Sequence, residues 1–188
     1  MAYQFFLGSS LAALTTFLPL YAEQRLGASA GRAALLIAGF GVMGIIARLV
    51  WTPVADRLSD LTTLLIGLAI GAGISAGLIW ASTIAGLTLA WVGTIGLGAT
   101  GVPANAVSML AVIRDRSFGA VAHASALVSL AFFAGFAAAP PVIGWVSDLG
   151  GGFAGGWVLL VATAIAAILT AIALRIKLHR QLALRSGE

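Results

Sequence analysis

Charged positions along this chain fall in a few narrow bands, and the stretches between them are apolar on every helical face. No acidic or basic residue occurs from Met1 to Ala22, after which Glu23, Arg25 and Arg32 flank a Gly/Ser/Ala stretch that reads as a loop. The first apolar element therefore runs from about Gln4 to Tyr21, and the second from about Ala33 to Trp51. A loop follows at Thr52-Pro53-Val54-Ala55-Asp56-Arg57-Leu58-Ser59-Asp60. The run from Leu61 to Ile113 carries no charge at all and would make roughly 80 Å of helix, more than twice the ~30 Å hydrocarbon core of a bilayer. Two crossings must share it. The polar pair Ser82-Thr83 is the only break near its middle, so the spans are expected at about Leu61 to Trp80 and about Ala85 to Val112, closed by Arg114, Asp115 and Arg116. The fifth runs from about Ala120 to Val146. Ser147-Asp148-Leu149 and the triglycine Gly150-Gly151-Gly152 turn the chain into a sixth, about Trp157 to Leu174.

Runs of this length are too long for membrane barrel strands of ~9–11 residues, which would also alternate in polarity. The expected fold is an all-α membrane protein: a six-helix transmembrane bundle over residues 1–175 and a basic cytoplasmic tail over residues 176–188. Composition agrees, since 61% of the residues are apolar, 9% are charged and the mean hydropathy is +1.08. An ordinary soluble domain is about a quarter charged, so that class is excluded. The first span lacks a basic leader and is followed by further apolar runs, so it reads as a mature helix and not as a cleaved signal peptide.

The positions of the ten Lys/Arg set an orientation. Eight of them (Arg48, Arg57, Arg114, Arg116, Arg175, Lys177, Arg180 and Arg185) fall on one side and two (Arg25 and Arg32) on the other. The positive-inside rule makes the richer side cytoplasmic, with both termini there. Trp51, Trp80, Trp145 and Trp157 lie at span ends, as an interfacial aromatic belt predicts, and Trp91 does not.

Chemistry-bearing patterns are few. The chain has no cysteine, which removes thiolate metal sites and disulfides, and no metal or cofactor is expected. Gly96-Leu97-Gly98-Ala99-Thr100-Gly101 spells G-x-G-x-x-G, but it sits inside an uncharged membrane run with neither a preceding strand nor a suitably spaced acid. It reads as close helix packing, as do Gly67/Gly71 and Gly73/Gly77. No Ser/His, His/Glu or paired-acid constellation lies at depth, so no enzyme is expected. No acid lies mid-span either, and His123 reads as interfacial rather than as a proton relay. No nucleic-acid partner is expected.

Sliding the chain against itself by 92 positions places Ala47, Val50, Val54 and Asp56 on Ala139, Val142, Val146 and Asp148. Three spans per unit would give two copies of opposite orientation, a 3+3 inverted repeat of the kind found in secondary transporters.

The stretch Arg48-Leu49-Val50-Trp51-Thr52-Pro53-Val54-Ala55-Asp56-Arg57-Leu58 resembles the loop between the second and third helices of a major facilitator superfamily half, G-x-L-A-D-R-x-G-R-K. Asp56 and Arg57 match its D-R pair. Thr52 and Ser59 stand at its two glycines, and Asp60-Leu61 replace its basic pair. The run from Phe133-Ala134-Gly135 through Pro140-Pro141, Gly144 and Asp148 to Gly155-Gly156-Trp157 resembles that family's eleventh helix and following loop.

The resemblance is to a carboxy-terminal six-helix half. It implies an integral protein of a bacterial inner (plasma) membrane that moves a small-molecule substrate by alternating access. An amino-terminal six-helix half would complete it, in the same longer chain or as a separate one. A homodimeric carrier formed with a second copy and a non-transporting membrane scaffold are the alternatives. By the same resemblance Asp56 and Arg57 form a gating latch, with Asp56 near the N-terminal end of span five. Arg48 either pairs with that acid cluster or snorkels to headgroups, and Asp56 or Asp60 alternatively just caps span three. The first and fourth spans line the family's cavity, which makes Gln4, Ser9, Thr16, Trp91, Thr94 and Asn105 the candidates for substrate contact. Each of these groups has the competing role of an interhelical hydrogen bond.

Overall fold

The computed structural model describes residues 1–58, 60–114 and 120–186, apart from the side chains of residues 150, 151 and 177–186. Ser59, and Asp115, Arg116 and Gly119 between the fourth and fifth spans, lie outside the described residues. Among the described residues, six long helices make up the fold: α1 (Ala2–Leu26), α2 (Ala30–Arg57), α3 (Leu61–Ala85), α4 (Leu87–Arg114), α5 (Val121–Val146) and α6 (Gly152–Ser186), with a π-helical turn at Ser147–Gly151. Each is long and apolar enough to cross a bilayer. The chain is an all-α membrane protein. A helix satisfies its own backbone polar groups, which a hydrocarbon solvent demands. The same self-sufficiency lets all five prolines (Pro19, Pro53, Pro103, Pro140 and Pro141) sit inside helices.

The helices run past the spans marked by charge. α2 continues through Pro53 to Arg57, because charge marks the membrane boundary and not the end of backbone hydrogen bonding. The turn between α3 and α4 lies at Gly86 and not at Ser82-Thr83. Gly86 takes φ 81°, a conformation that only glycine adopts without strain, whereas Ser82 is fully buried. Ser82 shares a 3.1 Å hydrogen bond with the Tyr21 hydroxyl and donates to the Ile79 carbonyl at 2.6 Å. The turn into α6 is made at Gly152, with φ 49°. Trp157 leaves the expected belt: it is 2% exposed and packs edge-on against Tyr21, with ring centroids 5.0 Å apart.

α1 is packed between α5 and α6, α4 between α2 and α3, and α3 lies against α6. The first three helices and the last three are therefore interleaved, each triplet's first helix seated between the second and third helices of the other. Two crossings are close. On α1 and α5, a methyl group added at Gly8 would collide with the Phe132 carbonyl, and one at Gly135 with the Phe5 carbonyl. On α2 and α4, a methyl at Gly98 would lie 2.6 Å from the Phe40 carbonyl oxygen, and one at Gly44 2.9 Å from Val102. The α4 glycine run is a packing surface, with Gly96 on Ser75 of α3 and Gly101 on Leu11 of α1. Of the α3 pairs, Gly71 packs on Thr100 and Gly73 on Ile168, while Gly67 and Gly77 face open space.

Because overpacking a close contact costs about 1–3 kcal/mol, Gly135→Val and Gly98→Val are each expected to lower the thermal midpoint of the purified chain clearly. Gly77→Ala, where nothing lies within 4 Å, should leave it unchanged. Thermal unfolding in one detergent checks all three.

Candidate functional site

At the end of α2 the Arg114 guanidinium gathers several acceptors. Arg114, at the end of α4, donates to Asp56 Oδ1 at 3.0 Å and to the carbonyls of Asp56 at 3.2 Å, Ala55 at 3.1 Å and Leu58 at 3.3 Å. The last carbonyls of a helix lack intrahelical partners and carry the negative end of its dipole, so a cation is favoured there. Arg114 thus caps α2 and fixes the loop backbone while it pairs with the carboxylate. It brings Asp56 to the C-terminal end of α4. Sequence inspection gives Arg114 a place at the close of a span and among the cytoplasmic bases, and no partner. The available signal was a basic residue at the helix end on the same side as the D-R loop.

Asp60 caps α3. It accepts from the Thr62 amide at 2.9 Å, the Thr62 hydroxyl at 2.5 Å and the Thr63 hydroxyl at 2.8 Å. The Thr62 hydroxyl bond is the largest influence and outweighs burial, which acts the other way; with the Thr63 bond, the Thr62 amide and the nearby charge of Arg175 on α6 it holds the carboxyl below its ordinary value of 3.8. Of the two acids proposed as caps, Asp60 does the capping. Arg57 is exposed. Arg48 is exposed on α2 and, among the described residues, pairs with neither acid.

The six polar candidates separate into different surroundings. Gln4 Nε2 of α1 donates to Asn105 Oδ1 of α4 at 2.9 Å, joining the first helices of the two triplets. Gln4 is 2% exposed, and its own amide oxygen has no partner among the described residues. Ser9 lies 140° around α1 from Gln4 by the 100° step per residue. It faces α5, its hydroxyl 3.1 Å from the Gly135 carbonyl and 2.9 Å from the Phe5 carbonyl. Gln4 and Ser9 therefore do not share a face. Thr16 is exposed. Thr94 is fully buried, its hydroxyl without a partner among the described residues. Trp91 is half-buried, with its ring over Gly39 of α2. The structure also adds a link that spacing does not reveal, Ser10 to Thr163 of α6 at 2.9 Å.

The space enclosed by α1, α3, α4 and α6, lined by Tyr3, Leu7, Ser10, Ala72, Leu97 and Ala164, is about the size of one water molecule. His123 is exposed in the first turn of α5.

The family model described as Major Facilitator Superfamily matches residues 2–188. No curated protein and no solved structure matches the chain.

Two outcomes follow from this geometry. The Asp56–Arg114 pair is 57% and 38% exposed, so a double-mutant cycle should return a coupling under about 1 kcal/mol. Arg114→Gln should nonetheless destabilise more than Asp56→Asn, because it also uncaps the α2 carbonyls. The second concerns acid. A carboxyl whose pKa is lowered by folding adds stability above its unfolded value, and that contribution is lost as pH falls through the folded value. Asp60→Asn keeps a capping side chain but loses the charge. It should be less stable than the parent at pH 7, with the gap closing below the ordinary carboxylate range. Melting curves across pH check the sign.

Proposed function

Since the chain belongs to the major facilitator superfamily, a family of membrane transporters, we propose that it acts as one six-helix half of a secondary transporter. It carries a small solute by alternating access, in which two bundles rock about a site between them. The observation that carries this is the match of the family model over residues 2–188 together with six interleaved crossing-length helices.

The 3+3 inverted repeat is supported by packing as well as by sequence. Gly8 meets the Phe132 carbonyl on α1 and α5, and Gly98 meets the Phe40 carbonyl on α4 and α2. Phe40 and Phe132 stand 92 positions apart, the offset of the aspartate match, and Gly8 and Gly98 stand 90 apart. The carbonyl offset equals that of the aspartate match and the glycine offset falls two short of it, which favours two related crossings.

The space enclosed by α1, α3, α4 and α6 is about the size of a water molecule and does not itself hold a solute. The path runs along its face, against an amino-terminal six-helix half in the same longer chain or a separate one, or against a second copy. Thr16, Trp91 and the Gln4–Asn105 pair face or border that path, and Ser9 and Thr94 act mainly in packing. Asp56, Arg57 and Arg114 hold the gate at the cytoplasmic end. The setting is a bacterial inner (plasma) membrane with both termini cytoplasmic, as the distribution of Lys/Arg supports.

Flux of labelled solutes into proteoliposomes holding the assembled protein tests this. Asp56→Asn should slow uptake by about tenfold, equivalent to about 1.4 kcal/mol, with little change in thermal midpoint; Asn105→Ala should slow it as much and also lower the midpoint, because the buried Gln4 amide loses its acceptor. Absence of flux under every imposed gradient would refute transport and favour the scaffold.

A further inference from the structure

Of the ten bases, Arg25 and Arg32 alone belong to the end of the bundle opposite the Asp56 loop, and neither has yet been given a role. Arg25 lies in the last turn of α1, exposed, and among the described residues it makes no ion pair. Its guanidinium nonetheless has a definite neighbour. Tyr21, one turn earlier on the same side of α1, packs edge-on against Phe153 and Trp157 of α6, with ring centroids 5.7 and 5.0 Å away. Arg25 extends this contact outward, because a methyl group added at Gly152, where α6 begins, would lie 3.7 Å from Arg25 Nη2. Asp148 stands four residues before Gly152 in the π-helical turn that ends α5, about one helical turn away. It too is exposed and makes no ion pair among the described residues. The carbonyls of that turn carry the negative end of the α5 dipole, which favours a cation beside them.

The other end of the bundle holds the same parts in contact. Arg114, in the last turn of α4, bonds the Asp56 carboxylate and three carbonyls at the end of α2. α1 packs on α5 as α4 packs on α2. Asp56 and Asp148 stand 92 positions apart at the ends of α2 and α5, and Arg25 and Arg114 stand 89 apart at the ends of α1 and α4. On those last two helices Gly8 and Gly98 are 90 apart. Both unpaired ends also have freedom to move: Pro19 in α1 and Pro140-Pro141 in α5 each interrupt the helix hydrogen bonds within about two turns of Arg25 and Asp148.

Resting on the repeat that supports the transporter reading, we propose that Arg25 and Asp148 form the counterpart of the Asp56–Arg114 pair at the opposite membrane face. This clasp is open in the present structure. On closing, it draws the end of α1 onto the turn between α5 and α6.

The absence of native cysteine allows a direct test on the full chain in lipid vesicles. Gln24→Cys and Leu149→Cys place one thiol beside each partner, both at exposed positions. A short bis-methanethiosulfonate reagent either bridges the two thiols or labels each separately, and mass spectrometry reads the ratio of the products. The same second thiol chooses between the two outcomes, so its reactivity cancels and the ratio reports proximity. Arg25→Gln and Asp148→Asn should each lower the ratio about threefold, as one exposed ion pair allows. Arg25→Lys should keep it, and Arg25→Asp combined with Asp148→Arg should restore most of it. High salt should narrow the gap between the parent and the neutral variants, and Arg32→Gln should leave the ratio unchanged.

A ratio that ignores R25Q or D148N overturns the proposal, as does a gap that salt leaves unchanged. So does a loss that the exchanged pair fails to restore, which would make Arg25 a cap for backbone carbonyls alone. An equal loss in R32Q would trace the effect to the general charge of that face and overturn it as well. The readout is not flux. A clasp that forms in a protein without flux refutes the transport reading alone, and flux from a protein whose cross-linking ignores both charges refutes only this proposal.

Discussion

The structure depends on how closely two helices can approach at a glycine. In hydrocarbon no hydrophobic gain drives helices together, so association rests on packing and interhelical hydrogen bonds. At the α1–α5 crossing, Gly8 and Gly135 each leave room for a backbone carbonyl of the opposing helix, and Ser9 adds a hydroxyl to the Gly135 carbonyl. At the α2–α4 crossing, Gly98 and Gly44 do the same for the Phe40 carbonyl and Val102. These pairs seat the two triplets into each other. With both in place, α3 and α6 close against α4 and α1, and the core around Leu14, Leu36, Ile79, Leu97 and Leu160 is excluded from lipid.

Charge then organises one end of this packed body. The last turn of α2 and the loop after it carry one acid each, and the structure gives them different work. Asp60 starts α3 through its hydrogen bonds to Thr62 and Thr63. Asp56 joins α2 to the end of α4 through Arg114, whose bonds to three backbone carbonyls make it a helix cap as much as an ion-pair partner. The loop that most resembles the family motif is thus tied to the helix that packs closest to α2. A rocking motion of the whole half would carry this loop with it.

Much of the fold was legible because a membrane chain writes its topology in charge. Six spans followed from the charge-free runs, and their helical form from their length. The exact turns were not legible where a polar residue serves the interior. Ser82 looked like a break in an apolar run, yet it partners Tyr21, 61 residues away, and the chain turns at Gly86. The site was legible in part. Asp56 and Asp60 stood out as acids at a helix boundary, while Arg114 did not, because its partners lie 56 to 59 residues away. The polar residues of α1 could not be sorted by type. Gln4 and Ser9 point to different neighbours, and only the packing of α4 and α5 decides which of them meets an amide and which a carbonyl.

The central claim is that this bundle is half of a working unit. The most direct measurement is the mass of the complex released gently from its own membrane, with the subunits identified. Twelve helices should be present, whether carried by one longer chain, by a companion or by a second copy of this 19.0 kDa bundle. A lone six-helix species as the native membrane form would contradict the account.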